Sequence, residues 1–324
     1  MRYVEFGQTD LVVSEICLGT WQAGGDWGAP QQDDLKATIR RALDLGINFF
    51  DTAQGYGFGA SERLLGEALE PEIKHHRDEV ILATKGGLRM EGDTLLRDAS
   101  PGWLREGVES SLRFLGTDYI DLYQVHWPDP KVPFEETAGT LDELVEEGKI
   151  RYVGVSNFDA KQMAEFEKTR KLDSLQPPYH LFRRDIEKEI LPYCAEHGVG
   201  VLVYGPLAHG LLSGNMTPDQ HFAEGDWRAH SGLFQGESFR SDLAKVEELE
   251  RFAADRGHTV AQLAVAWTLS NPAVDVAIVG ARRPAHIEGT APAAEFDLSA
   301  EDLREIDNIM QGAVPVGGPS PEGM

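Results

Sequence analysis

The sequence predicts a closed (β/α)8 barrel, the TIM-barrel architecture, as one domain over residues 1–324 with an N-terminal β-hairpin. Two observations carry this. Eight short apolar runs alternate with stretches of helical periodicity along the 324 residues, with no linker in the interior. Most of these runs are near-continuous in apolar residues, as parallel strands buried on both faces must be. A doubly wound open sheet would instead place a G-x-G-x-x-G turn after its first strand. The glycines of "GTWQAGGDWG" (19–28) lack that spacing.

In chain order, "RYVEFGQTDLVVS" (2–14) alternates around a turn and reads as a hairpin able to plug the barrel's N-terminal end. The barrel strands are "EICLG" (15–19), "INFFD" (47–51), "VILATK" (80–85), "IDLYQVH" (120–126), "RYVGVSN" (151–157), "LDSLQ" (172–176), "GVLVYG" (200–205) and "VAIVG" (276–280). After the first, Leu35, Ile39, Ala42 and Leu43 mark one face of a helix that stops at Gly46. After the second, a helix starts at Ser61, a candidate N-cap. Residues 103–116, 134–149, 242–257 and 259–271 repeat the helical period. Residues 205–240 form a long irregular stretch, the length at which loops become functional or mobile. The Gly/Pro-rich end predicts a disordered tail from about residue 312.

Composition narrows the partners. The net charge is −24, from 54 acidic and 30 basic residues. That field repels nucleic acid and anionic lipid, so a phosphate-bearing ligand needs local basic residues or backbone amides. The acid excess also fits a high-salt habitat, where screening weakens self-repulsion. No apolar run is long enough to span a membrane, and "MRYVEFGQTD" lacks the apolar core of a signal peptide. Two cysteines, Cys17 and Cys194, cannot build a disulfide framework or a Cys-rich zinc site. The expectation is a cytoplasmic protein without a structural metal.

Barrel enzymes carry their chemistry at the C-terminal ends of the strands. Asp51, Tyr56, Lys85 and His126 all fall there, on three successive strands. A phenol donates a proton poorly at neutral pH unless it is tuned. An adjacent ammonium lowers its pKa, and Asp51 would keep a partly buried Lys85 charged. His126 can hydrogen-bond a substrate oxygen beside the phenol. The set describes a general acid aimed at a carbonyl, which then needs a hydride donor. Three alternatives stay open: a class I aldolase using Lys85 as Schiff base, a slowly turning redox-sensing subunit that holds a dinucleotide, and metal-assisted hydrolysis.

The chain resembles the aldo-keto reductase family, the bacterial general stress reductases more than the potassium-channel β-subunits. The stretches that carry the resemblance are "NFFDTAQGYGFGASERLLGEAL", "ILATKGG", "DLYQVHWPD", "GKIRYVGVSNF", "SLQPPYHLF", "VYGPLAHGLLSG" and "AIVGARRPAHIE". The resemblance implies a reductase of small aldehydes or ketones that uses NADPH in preference to NADH, bound extended across the barrel mouth. It implies that Tyr56 is the proton donor, tuned by Lys85, with Asp51 paired to Lys85 and His126 orienting the carbonyl. Ser156, Asn157 and Gln176 match the residues that hold the nicotinamide carboxamide, and Tyr204 the ring that stacks on it. Gly205, Pro206, Leu207, Gly210 and Leu211 match the loop under the pyrophosphate. Gly280, Ala281 and Arg282 match the adenosine end, with Arg282 near a 2′-phosphate. His286 is assigned there too, although it and Thr290 depart from the Gln or Arg and the Asn of many relatives. Trp21 joins the cofactor set and, with Phe58, Trp127 and Trp227, the aromatic walls of the substrate pocket.

Overall fold

A computed structural model describes residues 1–28 and 31–321. Among the described residues there are twelve strands: β1 (Tyr3–Glu5), β2 (Val12–Ser14), β3 (Ile16–Gly19), β4 (Phe49–Asp51), β5 (Ile81–Gly86), β6 (Leu88–Glu91), β7 (Thr94–Arg97), β8 (Ile120–Val125), β9 (Ile150–Ser156), β10 (Ser174–Gln176), β11 (Gly200–Tyr204) and β12 (Val276–Gly280). Eight of them close a barrel in the order β3-β4-β5-β8-β9-β10-β11-β12, each parallel to its neighbours. These eight are the apolar runs of the sequence, with helices between them. The β1–β2 hairpin lies at the barrel's N-terminal end and drives Phe6, Leu11 and Val13 into the interior beside Cys17, Phe49 and Leu122. A second hairpin, β6–β7, follows β5 and was not anticipated.

Strand alternation explains how the interior is built. Phe49, Ile81, Ala83, Leu122 and Leu202 line the barrel, whereas Phe50, Leu82, Tyr123 and Val203 face the helix layer. Keeping the same parity, the next inward positions upward are Asp51, Lys85, Gln124 and Tyr204. Register places Lys85 beside Gln124 and Gln176 beside Ser156. A polar layer therefore sits directly on the apolar one, at the C-terminal ends of the strands.

Two local expectations fail. Ser61 is not an N-cap: the helix Ala60–Ala68 is preceded by Gly59 in the left-handed region (φ 95°). The Ser61 hydroxyl is buried and bonds the Thr20 carbonyl (2.9 Å), the Thr20 hydroxyl (2.7 Å) and the Thr52 hydroxyl (3.0 Å). The tail, expected to be disordered, lies against the barrel in its described part. The Val314 N–H donates to Asp242 Oδ1 (2.9 Å) and the Val316 N–H to the Phe182 carbonyl (3.1 Å), with Val316 buried. Val316, with Ala313 packed beside the core, supplies the apolar contact that composition hides.

The irregular stretch 205–240 folds into short 3-10 turns at Ala208–Ser213, Trp227–His230 and Gly232–Phe234. It is pinned to the loop after β3, where the Trp227 N–H donates to the Asp26 carbonyl (3.0 Å). Both cysteines are free thiols and buried. Among the described residues no helix is long and apolar enough to cross a membrane.

The helix Ala60–Ala68 packs so closely on the end of the helix Pro101–Leu115 that a Cβ at Gly66 would stand 2.5 Å from the Leu115 carbonyl oxygen. Backbone cannot yield there, so Gly66→Ala should cost about 1–3 kcal/mol of stability. Urea unfolding followed by circular dichroism measures this; an unchanged midpoint would show that the two helices separate freely.

Candidate active site

The four ionisable residues meet at the mouth. Asp51 ends β4, Lys85 lies in β5, Tyr56 stands on the loop after β4 and His126 follows β8. The Lys85 ammonium is wholly buried and donates to Asp51 Oδ1 (2.6 Å), the Thr52 carbonyl (2.9 Å) and the Tyr56 hydroxyl (3.3 Å). The Tyr56 ring meets the His126 ring edge-on, with centroids 5.6 Å apart. Asp51 turns its other oxygen to amides: Gln176 Nε2 at 2.9 Å and Gln124 Nε2 at 3.4 Å. Gln124 went unnoticed in the sequence, yet it shares the inward parity of Leu122, two residues before His126.

The electrostatics depart from the simple expectation in one respect. Burial alone would strip the proton from Lys85, but the charge of Asp51 and the nearby phenol outweigh it and raise its pKa. For Tyr56 burial dominates and raises the pKa; the Lys85 charge pulls it down but does not overcome burial aided by Asp51. Burial, and then the Lys85 charge, press the His126 pKa well below its ordinary value, so its imidazole is neutral and available as a hydrogen-bond partner. Its Nδ1 has no partner among the described residues. A Schiff-base role for Lys85 fits poorly, because an ammonium clamped by a carboxylate is no nucleophile.

Three further strand ends bring Ser156, Asn157, Gln176 and Tyr204 together. The Ser156 hydroxyl donates to the Gln176 carbonyl (2.8 Å), Asn157 Nδ2 to the His126 carbonyl (3.0 Å) and to Ser156 Oγ (3.0 Å), and the Tyr204 hydroxyl to Asn157 Oδ1 (2.9 Å). Asn157 holds a positive φ of 63°, a strained position that these bonds fix. The loop Gly205, Pro206, Leu207, Gly210 and Leu211 continues from Tyr204, with positive φ at Gly205, Ala208, His209 and Gly210.

After β12, Arg282, Arg283 and His286 line a cleft of about 190 Å³ with Gln22, Gln31, Asp34 and Leu35. Gly280 lets the Gln22 amide pass: a Cβ there would stand 2.2 Å from Gln22 Nε2. Ala281 is buried beside it. Asp34 approaches Arg283 at 3.8 Å, whereas the Arg282 side chain has no ion pair among the described residues. His286 Nδ1 accepts the Arg282 N–H at 3.3 Å. A cleft with an unpaired guanidinium suits the phosphate-bearing end of a dinucleotide, and the strand-end amides suit a carboxamide, so these residues fit such a cofactor. Asp34 and Gln22 were missed, since helix-start and loop polar residues look solvated in sequence.

Of the proposed aromatic walls, Trp21 and Trp227 reach the site. Trp21 stacks near Tyr56 (6.2 Å) and Trp227 (6.2 Å), and Trp27 and His209 complete the cluster. Trp127 packs under the Arg97 guanidinium, and Phe58 is exposed at a φ of 44°. Among the described residues no group of three or more His, Cys, Asp or Glu side chains could hold a metal ion.

Comparison with known proteins identifies the family. Residues 15–311 match the model of the aldo/keto reductase family. The chain is 44% identical over 321 residues to the aldo-keto reductase YhdN of Bacillus subtilis (strain 168), covering 98% of this chain and 96% of that one. It is 37% identical over 332 residues to the NADH-specific methylglyoxal reductase of Escherichia coli (strain K12), covering 96% and 100%. The structure of a glycerol dehydrogenase from Gluconobacter oxydans superposes with a TM-score of 0.88 at 40% identity, over 99% of this chain and 98% of that one. The chain belongs to the aldo/keto reductase family.

Proposed function

We propose that this protein reduces aldehyde or ketone carbonyls to alcohols with NADPH, and that Tyr56 supplies the proton. The observation that carries this reading is the Tyr56 hydroxyl, 3.3 Å from an ammonium that is itself held at 2.6 Å by Asp51. A nicotinamide dinucleotide, when bound, supplies the hydride. Ser156, Asn157 and Gln176 hold its carboxamide, Tyr204 its ring, the loop 205–211 its pyrophosphate, and the cleft of Arg282 and His286 its adenosine end. Neutral His126 orients the carbonyl oxygen toward Tyr56. The phenol then gives its proton to that oxygen as negative charge develops, and Lys85 stabilises the phenolate left behind. Trp21 and Trp227 offer apolar walls, which favour carbonyls carrying an apolar or aromatic group. We place the protein in the cytoplasm, which its two free thiols suit.

The test is loss of NADPH absorbance with a panel of aldehydes. Binding of NADPH without turnover of any of them would overturn the reading in favour of a dinucleotide-holding subunit.

Cofactor choice has its own test. Asp34 offsets Arg283 and leaves Arg282 to meet a 2′-phosphate. A charge-assisted contact is worth roughly 1.5–3 kcal/mol, so Arg282→Ala should weaken NADPH binding at least about tenfold and NADH binding far less. The difference should shrink as salt rises. Fluorescence titration with both cofactors reads this, and equal weakening of the two would move Arg282 to the shared part of the dinucleotide.

A further inference from the structure

On the outward side of β5, the helix Ala60–Ala68 turns an acid toward the barrel. Glu62 is completely buried, and its Oε1 accepts the Thr84 hydroxyl at 2.7 Å. Thr84 precedes Lys85 in β5, so the strand's alternation points one to Glu62 and the other to Asp51 and Tyr56. Glu62 Oε2 has no hydrogen bond among the described residues, and neither do three nearby buried groups: the Ser111 and Tyr123 hydroxyls and Gln54 Oε1. Tyr123 OH and Gln54 Oε1 crowd the same space, 2.8 and 3.2 Å from where a Cβ on Gly107 would stand. A carboxyl enclosed between barrel and helices is expensive, and the Ser111 and Thr84 hydroxyls that favour its charged form do not offset the desolvation. Packing alone gives no reason to keep it.

The same helix start governs Tyr56. Ser61 ties it to Thr20 and Thr52 at the ends of β3 and β4. The Ser61 N–H donates to the Tyr56 carbonyl at 3.2 Å. Between them, Gly57, Phe58 and Gly59 run through three successive positive φ values of 64°, 44° and 95°. A turn that tight fixes where Tyr56 stands once the helix is held.

We propose that Glu62 is a positioning residue for the proton-donating couple, acting on Lys85 through Thr84 and on Tyr56 through the helix start that it shares with Ser61. The proposal rests on the reading of Tyr56 as proton donor. Beyond holding the helix, Glu62 acts by charge. Burial raises the pKa of its carboxyl, against which the Ser111 and Thr84 hydroxyls and the charges of Lys85 on β5 and Arg63 on its own helix act; it in turn raises the Tyr123 pKa on β8. From the barrel interior Asp51 and Tyr56 raise the Lys85 pKa, and Lys85 in turn lowers that of His126. A negative charge behind Lys85 helps the couple keep its proton.

The experiment compares Glu62→Gln, Thr84→Val and Thr84→Ser with the intact protein, by kcat, KM, NADPH affinity and the pH profile of kcat. Glu62→Gln keeps an acceptor for Thr84 and removes the charge. We expect kcat to fall about tenfold with NADPH affinity unchanged, and the alkaline limb of the profile to move to lower pH. Thr84→Val should lower kcat, and Thr84→Ser should restore it. A wild-type kcat and profile in Glu62→Gln, or a lower melting temperature as its sole change, overturns the proposal. Tyr56→Phe assayed alongside separates the two readings: a loss there with none in Glu62→Gln sinks the positioning role alone, and full rates in both sink both.

Discussion

Tyr56→Phe is expected to lower aldehyde turnover by about 10²–10⁴-fold, the range that a positioned general acid contributes, while NADPH affinity stays within a few-fold. The hydroxyl is the single atom removed. The ring keeps its place beside Trp21 and His126, so the mouth should retain its shape. The phenol's proton is needed in the transition state and not in the ground state, so the loss should fall on kcat. Steady-state assays and a fluorescence titration on the same preparation separate the two quantities. Turnover near the wild-type level would remove Tyr56 from its assigned role.

Lys85→Met should be as damaging to the rate and, unlike Tyr56→Phe, damaging to the fold. Asp51 would lose its counter-ion inside the barrel and keep the amides of Gln176 and Gln124. Breaking a buried pair on one side costs about 3–5 kcal/mol, and thermal melting should register it. The double variant Asp51→Asn/Lys85→Met removes the stranded charge and should recover most of that stability without recovering activity. The pH dependence gives the sign of the tuning. In the intact protein both the Lys85 and Tyr56 pKa values are raised, so reduction should stay level through neutral pH and fall on the alkaline side as the pair loses its proton. That limb belongs to the coupled set and not to one residue. Removing the ammonium raises the phenol's pKa further, so residual activity in Lys85→Met should show its limb at higher pH. An unchanged rate and profile would refute the tuning argument.

Much of this architecture was legible because parallel buried strands write themselves as apolar runs, and barrel chemistry gathers where such runs end. Asp51, Lys85 and His126 could be seen as strand-end ionisable groups before any geometry was known. What escaped depends on which side chains face one another across the closed sheet. Gln124 sits inside "IDLYQVH" and reads as one polar residue in a strand; its meaning comes from Lys85 on the neighbouring strand, 39 positions away in the register. Glu62 and Asp34 read as solvated acids at helix starts, and only packing shows that one is enclosed and the other lines a cleft. Ser61 looked like a cap because local sequence says nothing of Thr20 and Thr52. The tail was misjudged because one buried valine, Val316, weighs little in a Gly/Pro composition.

The burial of both cysteines bears on how the protein survives its own chemistry. Reactive carbonyl compounds and oxidants attack thiolates. Cys17 lies within the barrel and Cys194 on the buried face of the helix Ile190–His197, and burial pushes the Cys17 thiol well above its usual range and the Cys194 thiol up to about 12. Neither presents a thiolate to solvent at neutral pH. An electrophilic aldehyde therefore finds no exposed thiolate to alkylate, and peroxide finds no thiolate to oxidise. Its activity is therefore expected to survive thiol-alkylating reagents with no reductant in the buffer.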